Sequence, residues 1–263
     1  MIIADAHVHI HDHFSLSGLF LISLQNFRRH LPAQQAAASS FFLLLTESAG
    51  MNRFVELRDS RRQYSDFIVQ KTGEKSTLRV ETLGGQSLFV VAGRQIVTKE
   101  KLEVLALGYG EEYPDGKPLE VTVKELEASD CLRVLPWGAG KWLGNRGRII
   151  DALIKDWPDE NLYLGDNSNR PSFWPLPPIF QKARKKRICN LPGSDPLPFP
   201  EQEKKAGSFG FKLPGTIDNR LPFASLKQSL TKAPETIVPF GLPETCTTFI
   251  KHQVAMQLVK RRR

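Results

Sequence analysis

Hydrophobic and polar positions along the chain alternate in short blocks. Apolar runs occupy residues 2–8, 41–46, 88–92, 103–107, 131–136, 162–164 and 188–191, and each ends in polar or glycine-rich residues. Runs of this length are the size of buried strands. Between most of them the apolar spacing is helical, over residues 15–30, 117–129, 147–156 and 173–186, with a short helix near 225–230. Strands that alternate with helices predict an α/β chain built on a parallel sheet or barrel. Residues 67–91 depart from that pattern. Short β-like stretches surround Lys71-Thr72-Gly73-Glu74 and Gly84-Gly85, which predicts an antiparallel hairpin insertion. Prolines punctuate residues 192–243 and mark loops there. No internal repeat or long linker divides the chain. A single domain is expected over residues 1–250, followed by a basic tail over 251–263.

Composition narrows the class. The chain has 263 residues, of which 41% are hydrophobic and 24% charged, ordinary values for a chain with a packed core. Its 36 basic and 28 acidic residues leave a net charge of +8, which suits an anionic small-molecule or phosphoester substrate. Nucleic acid is a further anionic partner, although no aromatic–basic or helix-turn-helix motif supports it. The three cysteines, Cys131, Cys189 and Cys246, form no metal-finger spacing and read as reduced thiols. No secretory leader and no apolar run of membrane-spanning length is visible, so a cytoplasmic protein without membrane contact is expected. Oligomeric state has no sequence signal.

The chemistry concentrates at the N-terminus. Four of the six histidines fall within Asp5-Ala6-His7-Val8-His9-Ile10-His11-Asp12-His13. On a strand, residues two apart share a face, so Asp5, His7 and His9 are expected to project together. Imidazole is the commonest metal-ligand side chain. His11 and His13 lie beyond the expected strand and read as loop residues. Further polar groups stand at later strand exits: Glu47, Gln95, Glu103, Asp166 and Asp195. Lys141, Arg146 and Arg170 follow strand exits as candidate substrate contacts for an anion. Trp137-Gly138-Ala139-Gly140-Lys141 lacks phosphate-loop spacing and reads as a substrate-side loop. The run Arg184-Lys185-Lys186-Arg187 suits a helix C-terminus.

Several of these positions carry a resemblance. Asp5-Ala6-His7-Val8-His9 is similar to the first-strand Asp-x-His-x-His of the amidohydrolase-like and PHP (polymerase and histidinol phosphatase) metal-dependent hydrolases. Leu43-Leu44-Leu45-Thr46-Glu47 resembles that family's apolar strand ending in Thr-Asp-His. Val91-Ala92-Gly93-Arg94-Gln95 resembles its Gly-x-Glu. Leu102-Glu103-Val104-Leu105-Ala106-Leu107-Gly108 sits where it has a histidine and an apolar strand. Gly193-Ser194-Asp195 resembles its late Gly-Ser-Asp. The order covers roughly residues 1–200. The chain departs at Glu47, Gln95, Glu103 and Leu197, which stand where Asp-His, Glu, His and His are expected.

The resemblance implies a distorted (β/α)7–8, TIM-like barrel. It also implies a divalent metal ion (Mn, Zn or Mg) held by His7, His9, Glu47, Glu103 and Asp195. A metal-activated water would cleave a phosphoester, with Asp195 and Asp166 in catalytic roles. The alternatives are an amidohydrolase acting on an amide or lactone, and a degenerate barrel serving as a binding module.

Overall fold

The structure is a computed structural model that describes residues 1–60, 64–157 and 161–261, with side chains described to residue 258. Eleven strands and eight α-helices are found among these residues. The strands are β1 (Ile2–Val8), β2 (Ser40–Leu45), β3 (Phe67–Lys71), β4 (Thr77–Thr82), β5 (Ser87–Val91), β6 (Gly93–Val97), β7 (Glu103–Leu107), β8 (Leu132–Pro136), β9 (Leu162–Gly165), β10 (Gly210–Leu213) and β11 (Val238–Phe240). The helices are α1 (Leu16–Arg28), α2 (Ala33–Ala37), α3 (Arg53–Asp59), α4 (Leu119–Glu125), α5 (Asn145–Asp156), α6 (Pro178–Lys185), α7 (Pro222–Lys232) and α8 (Cys246–Arg261).

The strands form two mixed sheets. One has seven strands in the order β11-β10-β1-β2-β5-β4-β3, and the other has four in the order β6-β7-β8-β9. The expected TIM-like barrel is therefore incorrect. Such a barrel needs parallel neighbours joined by helical crossovers. Here only β1, β2 and β5 and the pair β8–β9 are parallel. No helix lies between β3 and β7, and hairpin-like connections make β3–β4–β5 and β6–β7 antiparallel. The α/β class holds. The hairpin expected over 67–91 is antiparallel, but its last strand pairs with β2 inside the main sheet rather than decorating it.

Burial explains the layers. Both faces of β2 are apolar: Phe41, Leu43 and Leu45 enter one core cluster, and Phe42 and Leu44 enter another. A strand buried on both faces reads as a continuous apolar run. The first cluster joins the seven-stranded sheet to α1, whose Leu19, Phe20, Leu24 and Phe27 form its inner stripe. Ser15 caps that helix by accepting from the Gly18 amide at 3.2 Å. The second cluster draws on both sheets and on Phe223, Leu226 and Leu230 of α7. The third packs α4, α5 and α6 on the far side of the four-stranded sheet.

Short bridges tie the sheets where the parallel strands exit. Glu47 bridges Arg94, linking β2 to β6. Residues 190–195 run between β9 and β1. Asn190 and Gly193 bridge Leu164 and Asn167, the Ala6 amide donates to the Pro192 carbonyl at 3.2 Å, and the Asp195 amide donates to the His7 carbonyl at 2.8 Å. That crossing needs a glycine. A Cβ on Gly193 would stand 2.2 Å from the His7 amide nitrogen and 2.7 Å from its Cα. The boundary expected at residue 251 falls inside α8, where His252 is buried; Arg262 and Arg263 lie outside the described residues.

Candidate metal centre

The exits of β1 and of residues 190–195 bring His7, His9 and Asp195 together. One ligand atom from each lies within 4.8 Å of the others, so this group could hold a metal ion. The two Nε2 atoms are 3.1 Å apart, and Asp195 Oδ1 lies 3.4 Å from the first and 3.6 Å from the second. Ligands about 2.1 Å from a four-coordinate ion stand about 3.4 Å from one another, so the spacing fits a shared ion. Gln95 Oε1, 3.1 Å from His7 Nε2, adds a neutral oxygen to the same space.

Electrostatics suit ligation. Burial and the adjacent His7 push His9 down to about 3, which leaves its ring neutral at pH 7 with a lone pair for a cation. Burial alone would raise Asp195, but His7, His9, Lys141 and Lys205 together hold it down at about 2, so it is an anion. Asp195 also adopts a left-handed backbone, φ 47°, which aspartate tolerates better than most residues. Its Oδ2 accepts from Asn167 Nδ2 at 3.1 Å and Asn169 Nδ2 at 3.0 Å, so the other oxygen is the one presented to the imidazoles. Asn169 Oδ1 in turn accepts from Lys205 Nζ. Lys205 also donates to Glu244 Oε1 at 2.6 Å, and that oxygen meets His252 Nδ1 at 2.9 Å.

Asp5 does not join this group, contrary to the expectation from strand periodicity. Asp5 pairs with Leu43 and Val8 with Leu45, so three steps on β1 oppose two on β2. This bulge shifts the phase between Asp5 and the histidines. The fully buried Asp5 carboxylate instead accepts from the Ser194 amide (2.8 Å), the Ser194 hydroxyl (2.5 Å) and the Gly207 amide (2.8 Å). It latches the Gly193-Ser194-Asp195 turn onto β1. Burial raises its pKa to about 6 against the pull of these donors.

The other candidate residues stand in different contacts. Glu47 accepts from the Phe54 amide at 2.8 Å at the start of α3, and Arg94 Nη1 lies 3.4 Å from its second oxygen. Glu103 pairs with Lys141 and is not in the converging group. Asp166 is gripped bidentately by Arg170, at 2.9 and 3.0 Å, so an expected catalytic carboxylate and an expected anion contact engage each other. Arg146 donates to the Gly140 carbonyl at 2.7 Å. His11 donates to or accepts from no metal-group atom; its Nε2 lies 3.0 Å from the Pro196 carbonyl, and its ring stacks on His13. Sequence reasoning missed Asn167, Asn169, Lys205, Glu244 and His252. In the sequence, the run Asp166-Asn167-Ser168-Asn169 has only the composition of a turn.

No helix among the described residues is long and apolar enough to cross a membrane. No family model and no curated protein matches this chain. Among solved structures it is similar to the crystal structure of PsfC from Pseudomonas syringae PB-5123, with a TM-score of 0.50 at 13% identity over 99% of this chain and 97% of that chain, a likeness of fold alone.

Proposed function

We propose that this protein is a metal-dependent hydrolase of phosphoesters, with His7, His9 and Asp195 holding a divalent ion. The observation that carries the reading is the convergence of two imidazole Nε2 atoms, 3.1 Å apart, with a carboxylate oxygen at a largely buried point. The two imidazole nitrogens and the carboxylate oxygen face one point, where a shared cation would take a lone pair from each. Two nitrogen donors with one carboxylate favour Zn²⁺ or Mn²⁺ over Mg²⁺. Such an ion supplies a water of lowered pKa and polarises the scissile group.

The chain's own residues supply the rest. Asn167 and Asn169 hold Asp195 in its presenting orientation. Lys141 and Lys205, each paired with a carboxylate (Glu103 and Glu244), help hold Asp195 as an anion. Asp195 is too weak a base to accept a proton at pH 7 and serves as a ligand. Asp166 positions Arg170 and the loop that carries Asn167 and Asn169. The resemblance of Asp5-Ala6-His7-Val8-His9 and Gly193-Ser194-Asp195 to the PHP hydrolases supports the same reading.

Elemental analysis of the purified protein, repeated on His7→Ala/His9→Ala, is the test. About one divalent ion per chain, lost in the double variant, is expected. A phosphoester screen with Mn²⁺ and Zn²⁺ then separates a hydrolase from a binding module. Metal that is substoichiometric and indifferent to the substitution overturns the proposal.

A further inference from the structure

A second feature lies beside the metal group and has no part in it. The loops after β8 and β9, with α5 and α6, line an open cavity of about 450 Å³ walled by Trp137, Trp142, Trp174, Leu176 and Ile179, with the exposed Arg148 among its lining residues. Three of the chain's four tryptophans are here. A cavity of about 150 Å³ holds benzene, so this one has room for a fused ring system.

The walls are shaped for a planar ring. Trp137 and Trp174 meet edge to face, with ring centroids 5.7 Å apart and planes at 78°, so they form a corner of one indole face and one indole edge. Trp142 is held by stacking on Phe180 at 5.5 Å. Indole faces and edges favour aromatic partners in offset or perpendicular contact, and a guanidinium can lie over a ring face. The glycine-rich run after Trp137 makes this possible. A Cβ on Gly138 would stand 2.6 Å from Lys141 Cδ, so the lysine stem lies across the bare backbone of the cavity wall.

The cavity and the metal group share structure. The Trp137 carbonyl accepts from Asn167 Nδ2 at 2.9 Å, and the same nitrogen holds Asp195 Oδ2. Trp174 is fixed from the other side, its carbonyl accepting from Arg170, which grips Asp166. Lys141 reaches from one to the other, its stem on Gly138 and its ammonium held by Glu103. We propose that this cavity receives an aromatic ring of the substrate, placing an attached anionic group towards the metal group. That the anion is a phosphoester rests on the function proposed above; the ring site does not.

The test is a binding series on the purified protein with its metal content defined, read by tryptophan fluorescence. The probes are 1-naphthyl phosphate, cyclohexyl phosphate, 1-naphthol and inorganic phosphate. The wild type is expected to bind 1-naphthyl phosphate about tenfold more tightly than cyclohexyl phosphate, the size of effect that two aromatic walls provide. Trp174→Ala and, separately, Trp142→Ala should abolish that preference and leave inorganic phosphate binding unchanged. Far-ultraviolet circular dichroism checks that each variant is folded. Naphthol binding that depends on Trp174 without any phosphate binding supports the ring site and removes the phosphoesterase reading. Equal affinity for the two organic phosphates, or an unchanged preference in both folded variants, overturns the inference.

Discussion

Replacing Gly193 by alanine tests whether the crossing of residues 190–195 over β1 builds the site. The added methyl would stand 2.2 Å from the His7 amide nitrogen, 2.4 Å from its Cβ and 2.7 Å from its Cα. None of these atoms is the end of a flexible side chain. An ordinary contact of about 3.5 Å therefore requires the two backbones to part by about 1.3 Å. That movement stretches the hydrogen bonds from Ala6 to Pro192 and from Asp195 to His7 beyond useful length. Overpacking costs about 1–3 kcal/mol, and two weakened backbone hydrogen bonds add about 1 kcal/mol each. The expected loss is about 3–5 kcal/mol, read as a lowered urea midpoint with the metal removed by chelator. Because Asp195 moves with the turn, metal affinity measured by titration should fall at least about tenfold in the fraction that remains folded. Gly84→Ala is the control. Its nearest neighbour would be the Thr82 hydroxyl at 3.8 Å, and it should change neither quantity. A Gly193→Ala protein with wild-type midpoint and wild-type metal affinity would refute the reasoning.

Four further outcomes are expected. Asn169→Ala removes two donors from Asp195 and should weaken metal binding about 10- to 100-fold by calorimetric titration, with a folded circular dichroism spectrum. Asp166→Asn should disturb the Arg170 grip and lower the denaturation midpoint while leaving metal stoichiometry at the wild-type value; loss of the ion would show that Asp166 belongs to the metal group after all. Lys205→Met leaves Glu244 buried with only His252 and should cost about 3 kcal/mol in the same urea assay. A bound ion at 100 times its dissociation constant stabilises the fold by about 2.7 kcal/mol. Chelator should therefore lower the melting temperature by roughly 5–10 °C in the wild type and not at all in His7→Ala/His9→Ala.

Strand and helix positions were largely legible in the sequence, and their arrangement was not. The runs at 2–8 and 103–107 coincide with β1 and β7, and the helical spacing at 15–30 and 147–156 contains most of α1 and α5. Periodicity reports which face of a segment is buried, but not which strand lies beside it. The stretch from Phe67 to Leu107 turns back on itself through short connections, and this antiparallel pairing breaks the barrel that alternation elsewhere suggests. In the site, His7 and His9 were legible because a period of two keeps them on one face. Asp5 misled because β1 is bulged between Asp5 and Val8, and no residue there marks it. Asn167, Asn169, Lys205 and Glu244 were invisible because their roles depend on contacts 26 to 39 residues apart.

The division of labour in the site follows from these distances. The nitrogen donors come from one strand end, where backbone geometry alone sets their separation. The carboxylate comes from a segment nearly two hundred residues later, so it must be located by other means. Three devices do this: the Asp5 latch on Ser194, the backbone bond from Asp195 to His7, and the asparagine amides on Oδ2. The last of these is anchored in turn through Lys205 and Glu244 to His252 of α8. The Glu244 amide donates to the Ser168 and Arg170 carbonyls, so the segment leading into α8 is bolted to the same loop. Loosening α8 at His252 should therefore reach the metal group through Asn169 rather than through the sheet. His252→Gln is expected to weaken metal binding while sparing the urea midpoint of the metal-free protein more than Gly193→Ala does. If the variant instead lowers the midpoint as far as Gly193→Ala and leaves metal affinity intact, the chain from α8 to Asp195 carries packing and not position.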